Sequence, residues 1–122
     1  MTLLDYLRAD LKPLMKRRDR VALNAVRSAI AAIENAEVSY LSTPATVGPA
    51  SEFVAGAVHF GCAERVVREL TGDEMMAIAT AEATRRLDEA DRLRRFGRVD
   101  QALTLKAEAL TLQDRLAGYA AA

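Results

Sequence analysis

A chain of 122 residues, 51% hydrophobic and 28% charged, has the size and composition of one globular domain. It can bury a core without a disulfide or metal staple. Its 17 Lys and Arg balance its 17 Asp and Glu, so no global field drives it onto nucleic acid or a membrane, and any such binding must come from a local patch.

The single cysteine, Cys62, rules out an internal disulfide and a multi-cysteine metal centre, and fits a reducing compartment. The opening Met1-Thr2-Leu3-Leu4-Asp5 lacks the basic and apolar segments of a signal peptide. No run of about 18 apolar residues occurs, so no membrane partner is expected and the expected location is cytoplasmic. The apolar share is mostly Ala and Leu, with no Trp. Strong helix formers dominate over strand-favouring residues, which predicts an all-α chain.

The first predicted helix covers about residues 3–17. Leu4, Leu7, Leu11 and Leu14 make one apolar stripe. Pro13 lies inside it and should kink the helix or split it near Leu11. The second covers about 20–40, with Asp19 as its N-cap. Leu23, Val26, Ile30 and Ile33 form one stripe. Ala22, Ala25, Ala29, Ala32 and Ala36 form another, so this helix should be buried on two sides.

Residues 41–70 read differently. Pro44, Gly48, Pro49, Gly56 and Gly61 interrupt any helical period, which predicts a long connection with short helical turns around 52–58 and 64–69. The third helix, about 72–96, opens on a capping box of Thr71 and Glu74 and stops at Gly97. Met75, Ala79, Ala83, Leu87 and Ala90 point inward. Glu82–Arg86, Asp88–Arg92 and Asp91–Arg95 form a solvated, self-paired outer face. The fourth, about 100–118, starts with Asp100 as its cap and buries Ala102, Leu105, Ala109, Leu112 and Leu116. Gly118 and the terminal alanines should fray. The short link between the last two helices makes them antiparallel neighbours. The expected architecture is a mainly antiparallel four-helix, bundle-like single domain over residues 1–122.

Chemistry is sparse. His59 and Cys62 lie three residues apart in the glycine-rich connection, without an orienting partner or a second pair of ligands, and read as loop packing. No phosphate-binding glycine loop or nucleophile elbow is present. No catalytic residue, cofactor site or metal site is assigned, and the chain is expected not to be an enzyme on its own.

One charge feature stands out. Arg8, Lys12 and Lys16 repeat every four residues. Lys16-Arg17-Arg18-Asp19-Arg20 marks the junction of the first two helices, and Arg27 follows on the second. Lys12, Lys16, Arg17, Arg20 and Arg27 are therefore the candidate nucleic-acid contacts, through phosphate charge alone because no aromatic residue interleaves. The alternative is a solvated face whose bases complement the first helix's C-terminal dipole.

These residues also carry a resemblance. Leu11-Lys12, Met15 to Arg20, Leu23 and Val26 to Ile30 look like the opening of YqeY-like proteins. Leu70-Thr71, Asp73-Glu74, Phe96 to Asp100 and Ala107-Glu108 resemble the family's later segment, in family order. The resemblance spans about residues 3–37 and 63–116. It implies an all-helical accessory domain related to the one appended to the B subunit of tRNA-dependent amidotransferases and to some glutaminyl-tRNA synthetases. There the domain helps engage tRNA while the chemistry, a carbon–nitrogen ligation with glutamine as nitrogen donor, lies elsewhere. The implied partners are tRNA and the amidotransferase or aminoacyl-tRNA machinery.

The family's Tyr-Leu-Pro break is replaced by Arg115-Leu116-Ala117, so a short form without the tail domain is expected, and 41–62 reads as an insertion. The competing expectation is a protein-interaction module, self-associating as a homo-oligomer through its alanine-rich stripes.

Overall fold

A computed structural model describes residues 1–42 and 69–122. The described residues form four helices and no strand: α1 (Leu3–Arg17), α2 (Arg20–Ser42), α3 (Gly72–Arg95) and α4 (Val99–Ala121). The chain divides into two compact units, one made of Met1–Ile33 with Thr71–Ala122, the other of Glu34–Leu70. The first holds α1, the beginning of α2, and the α3–α4 hairpin. The turn expected at 52–58, all but the last residue of the one expected at 64–69, and His59 and Cys62 lie outside the described residues.

Helix ends follow from local chemistry. Thr2 and Asp5 close a capping box on α1: the Asp5 amide donates to Thr2 Oγ1 at 3.1 Å, and the Thr2 amide donates to Asp5 Oδ2 at 3.2 Å. Thr71 and Glu74 do the same for α3 at 3.1 and 2.8 Å. Asp19 caps α2 by accepting from the Ala22 amide at 3.1 Å.

Both short turns are Schellman closures. At the end of α1, the Asp19 amide donates to the Leu14 carbonyl and the Arg18 amide to that of Met15, both at 3.1 Å. At the end of α3, the Arg98 amide reaches Leu93 at 2.8 Å and the Gly97 amide reaches Arg94 at 3.0 Å. The motif needs one left-handed residue. Gly97 supplies it at φ 81°, but in the first turn Arg18 does so at φ 56°.

Pro13 does not split α1, which runs unbroken from Leu3 to Arg17. Pro13 and Ala9 are both exposed, so the carbonyl that loses its partner faces water. Asp100 is not the cap of α4. The helix begins one residue earlier, directly after the α3 closure, with Arg98 in the cap position and Asp100 in the first turn. Nor does the last turn fray. The Tyr119 ring meets Tyr6 edge-on at 5.2 Å and its hydroxyl donates to the Met1 carbonyl at 3.3 Å, holding the helix to Ala121. Gly118 lets this happen, since a β-carbon there would stand 3.1 Å from the Tyr6 hydroxyl.

The contacts Tyr6–Tyr119 and Asp10–Arg115 run in opposite chain directions, so α1 and α4 are antiparallel. Asp10 Oδ2 lies 3.1 Å from Arg115 Nε, an ion pair made without hydrogen-bond alignment. The core takes Leu3, Leu7 and Leu14 from α1, Val26 and Ile33 from α2, and Leu112 from α4, all fully buried. Leu11, Leu23, Leu87 and Leu105, expected inside, are only half-buried at the edges of their stripes. Eight of the eighteen buried apolar residues are alanine, which brings backbones close and leaves space between helices for a few long side chains.

Two outcomes follow. Arg18→Gly removes the side-chain strain of the left-handed position, at the cost of a freer unfolded chain; it should stabilise the protein by up to about 1 kcal/mol in a urea titration. The amide and hydroxyl of Thr2 hold the Asp5 carboxyl below the usual aspartate range. The box therefore contributes stability above the unfolded pKa of Asp5 and loses it as pH falls through the lower folded value. A carboxyl NMR titration should show the depressed midpoint, and Thr2→Ala should return it toward the ordinary value.

Candidate functional site

Two charged constellations occupy unlike environments. The first is the α1–α2 junction. The tight closure at Arg18 and the Asp19 cap compress Lys16, Arg17, Arg18 and Arg20 into one corner. Residues 12–27 hold six bases against one acid, a net of +5 within a neutral chain, and that acid is engaged in capping. All six bases are exposed.

The sequence-derived candidates do not form one pocket. Arg20 and Arg27, with Arg18, Met15 and Leu23, line an open depression of about 430 Å³. Arg27 Nη2 lies 3.8 Å from the Met15 sulfur, fixing its stem against α1. Lys12 and Lys16 form the neighbouring stripe on α1. Arg17 lies about 100° further round that helix and is not part of the depression. Arg18, grouped in the sequence with bases that answer the helix dipole, belongs with Arg20 and Arg27 instead.

Among the described residues, none of Lys12, Lys16, Arg17, Arg18, Arg20 and Arg27 has a carboxylate within 4.0 Å. Arg85, Arg86, Arg92, Arg94 and Arg115 all do. Arg95, Arg98 and Lys106 also lack one among the described residues, so positive charge left for a partner is densest at the junction, with six bases within residues 12–27, without being confined to it. The closed turn also presents it on a fixed backbone rather than on a free loop.

The second constellation is interior. Glu82 of α3 and Glu108 of α4 are buried, with side chains 8% and 7% exposed. Arg86 stands between them: Nη1 is 3.2 Å from Glu108 Oε1, and Nε is 3.8 Å from Glu82 Oε2, beyond hydrogen-bond reach. Its Nη2 donates to Ser28 Oγ of α2. Asn24 Nδ2 of α2 approaches Glu108 Oε2 at 3.4 Å. Arg85 Nη2 donates to both oxygens of Glu82 at 2.8 and 2.9 Å, and this carboxylate raises the Arg85 pKa.

Each glutamate oxygen thus has a cation or amide opposite it, and two guanidiniums balance two carboxylates. Such a cluster holds its helices in register by charge matching. Among the described residues, no group of three or more His, Cys, Asp or Glu converges as metal ligands would. No helix among them is long and apolar enough to cross a membrane.

The interior cluster corrects the expected outer face of α3. Glu82 and Arg86 do pair, but inside the bundle. The other expected pairs shift by one residue. Arg92 meets Glu89 at 3.6 Å and Arg94 meets Asp91 at 3.7 Å, while Arg95 Nε donates to the Asp91 carbonyl at 3.4 Å. Both spacings bring side chains together on a helix, so helical period alone cannot choose between them. The available sequence signal was the run of alanines beside Glu82 and Glu108, residues too small to fill the space between helices.

Comparison with protein-family models, curated proteins and solved structures finds no match to this chain.

The network makes a distinctive stability pattern. Arg86→Met leaves two buried carboxylates short of a partner and should cost about 3–5 kcal/mol. Adding Glu82→Leu and Glu108→Leu removes those charges together and should recover most of the loss. Chemical denaturation of the single and triple variants checks this; equal losses in both would contradict a charge-matched cluster.

Proposed function

We propose that this chain is an accessory, non-catalytic helical module that binds RNA through its phosphate backbone, as its resemblance to the YqeY-like family implies. Transfer RNA, in the setting of amidotransferase or aminoacyl-tRNA machinery in the cytoplasm, is the leading partner within that reading. The observation that carries it is the net +5 of exposed cations without carboxylate partners at the α1–α2 junction of a chain whose total charge is zero. Lys12, Lys16, Arg17, Arg18, Arg20 and Arg27 supply charge without stacking aromatics. The binding expected is strong in low salt and weakly sequence-dependent.

Binding of labelled tRNA at several salt concentrations tests the reading. Each phosphate contact contributes about 0.7–0.9 to the slope of log K against log salt. The triple variant Lys16→Ala, Arg17→Ala, Arg20→Ala should bind at least about tenfold more weakly in low salt and lower the slope by about 2–3. Absence of tRNA retention by the unaltered protein at low salt would remove RNA binding from this chain.

A further inference from the structure

The crease between the end of α1 and the start of α2 carries apolar surface as well as charge. Arg20, Leu23 and Arg27 follow one another at steps of three and four, so they share one face of α2. With Met15 of α1 and Arg18 of the turn they line the open depression of about 430 Å³. Met15 is 47% exposed and Leu23 half-buried, so apolar surface lies in water among three guanidinium groups. None of those three has a carboxylate within 4.0 Å among the described residues. Contacts to phosphate alone need the charge but not the apolar lining.

Arg18 adds an independent observation. Its amide and that of Asp19 close the turn onto α1 at 3.1 Å each, with Arg18 held at φ 56°. Glycine adopts that conformation without strain, as Gly97 does at φ 81°. The turn by itself would be better served by glycine. What arginine adds is its side chain, and that side chain lines the depression. Backbone strain retained at such a position is a mark of a binding site.

We infer that the depression receives one unpaired nucleotide of a bound RNA, its base against Met15 and Leu23 and its flanking phosphates on Arg18, Arg20 and Arg27. This rests on the RNA reading above and adds which part of the RNA is gripped. The charge selects an anion, and the apolar lining selects an anion that also has an apolar face. An unstacked base offers one. A thioether sulfur and guanidinium planes both pack on aromatic faces, so no aromatic side chain is required. Arg27 already lies over this lining, with Nη2 3.8 Å from the Met15 sulfur. The depression is open, so a nucleotide joined to its neighbours on both sides can enter. In a continuous duplex the bases are paired and stacked, and only phosphates would be within reach. Loops and single strands are therefore gripped in preference to duplex.

Binding of the whole chain to two labelled RNAs tests this: a hairpin with a wide loop, and a blunt duplex of equal phosphate number. The unaltered protein should bind the hairpin at least about tenfold more tightly. Met15→Ser leaves the charge unchanged and should lower hairpin affinity about fivefold, with duplex affinity and the salt slope unmoved. Arg18→Gly should weaken hairpin binding at least about fivefold and lower its salt slope by about 0.7–0.9, while the protein becomes no less stable in urea. A purely structural role for Arg18 would leave binding intact. Both residues are exposed, so the helical circular dichroism should be unchanged in each variant. Equal affinity for the two RNAs, or a hairpin preference indifferent to Met15→Ser or Arg18→Gly, would overturn this inference and leave RNA binding in place. Retention of neither RNA would overturn both.

Discussion

The placing of one guanidinium between two buried carboxylates decides how three of the helices fit together. Arg86 ties α3 to α4 through Glu108 and to α2 through Ser28, and it neutralises charges that could not otherwise be tolerated away from water. An alanine-rich core leaves few shape constraints between helices, so a sliding or rotated neighbour would lose little packing. It would lose the charge match at once. On this view the network's main contribution is to choose one register, and its net contribution to stability is secondary. A buried ion pair gives weak stabilisation relative to an apolar substitute, yet punishes any arrangement that leaves one member unpaired.

That internal matching sharpens what remains outside. Eight charged residues of the α3–α4 hairpin answer one another in ion pairs, and Asp10 answers Arg115 across α1 and α4. The junction of α1 and α2 is the exception, because its turn is made from basic residues and its only acid serves as a cap. The closure places Arg18 in a left-handed conformation that glycine would adopt more easily. An arginine kept in that position costs the fold something and gives the corner another exposed cation. The opposite side of the economy is the outer face of α4, where Val99, Leu103 and Leu110 are left in water although the helix already has a well-buried inner face.

Much of the fold was legible in the chain. The Thr71–Glu74 box and the Gly97 stop rest on contacts within a few residues, and helical spacing marked most of the buried faces of α1 and α2, with Leu11, Leu23, Ala32 and Ala36 left half-buried. The basic junction was legible for the same reason, since four of its bases are consecutive or nearly so. Local readings went astray at the split expected at Pro13, at the Asp100 cap and at the last turn of α4, and only the last of these was overturned by tertiary contacts. Pro13 is accommodated on a wet face, and the terminal turn of α4 is held by Tyr6 and Met1, residues more than a hundred positions away.

By itself, then, the sequence determined the helices, their inward stripes and the local excess of positive charge, because each depends on spacing along one helix or one turn. Only the tertiary structure decided that Glu82, Arg86 and Glu108 meet inside the bundle and that Phe96, Val99, Leu103 and Leu110 remain outside. A helix read alone has polar and apolar faces. Which polar residue is buried depends on whether a neighbouring helix brings an opposite charge to it, and which apolar residue is exposed depends on how many neighbours there are to cover it.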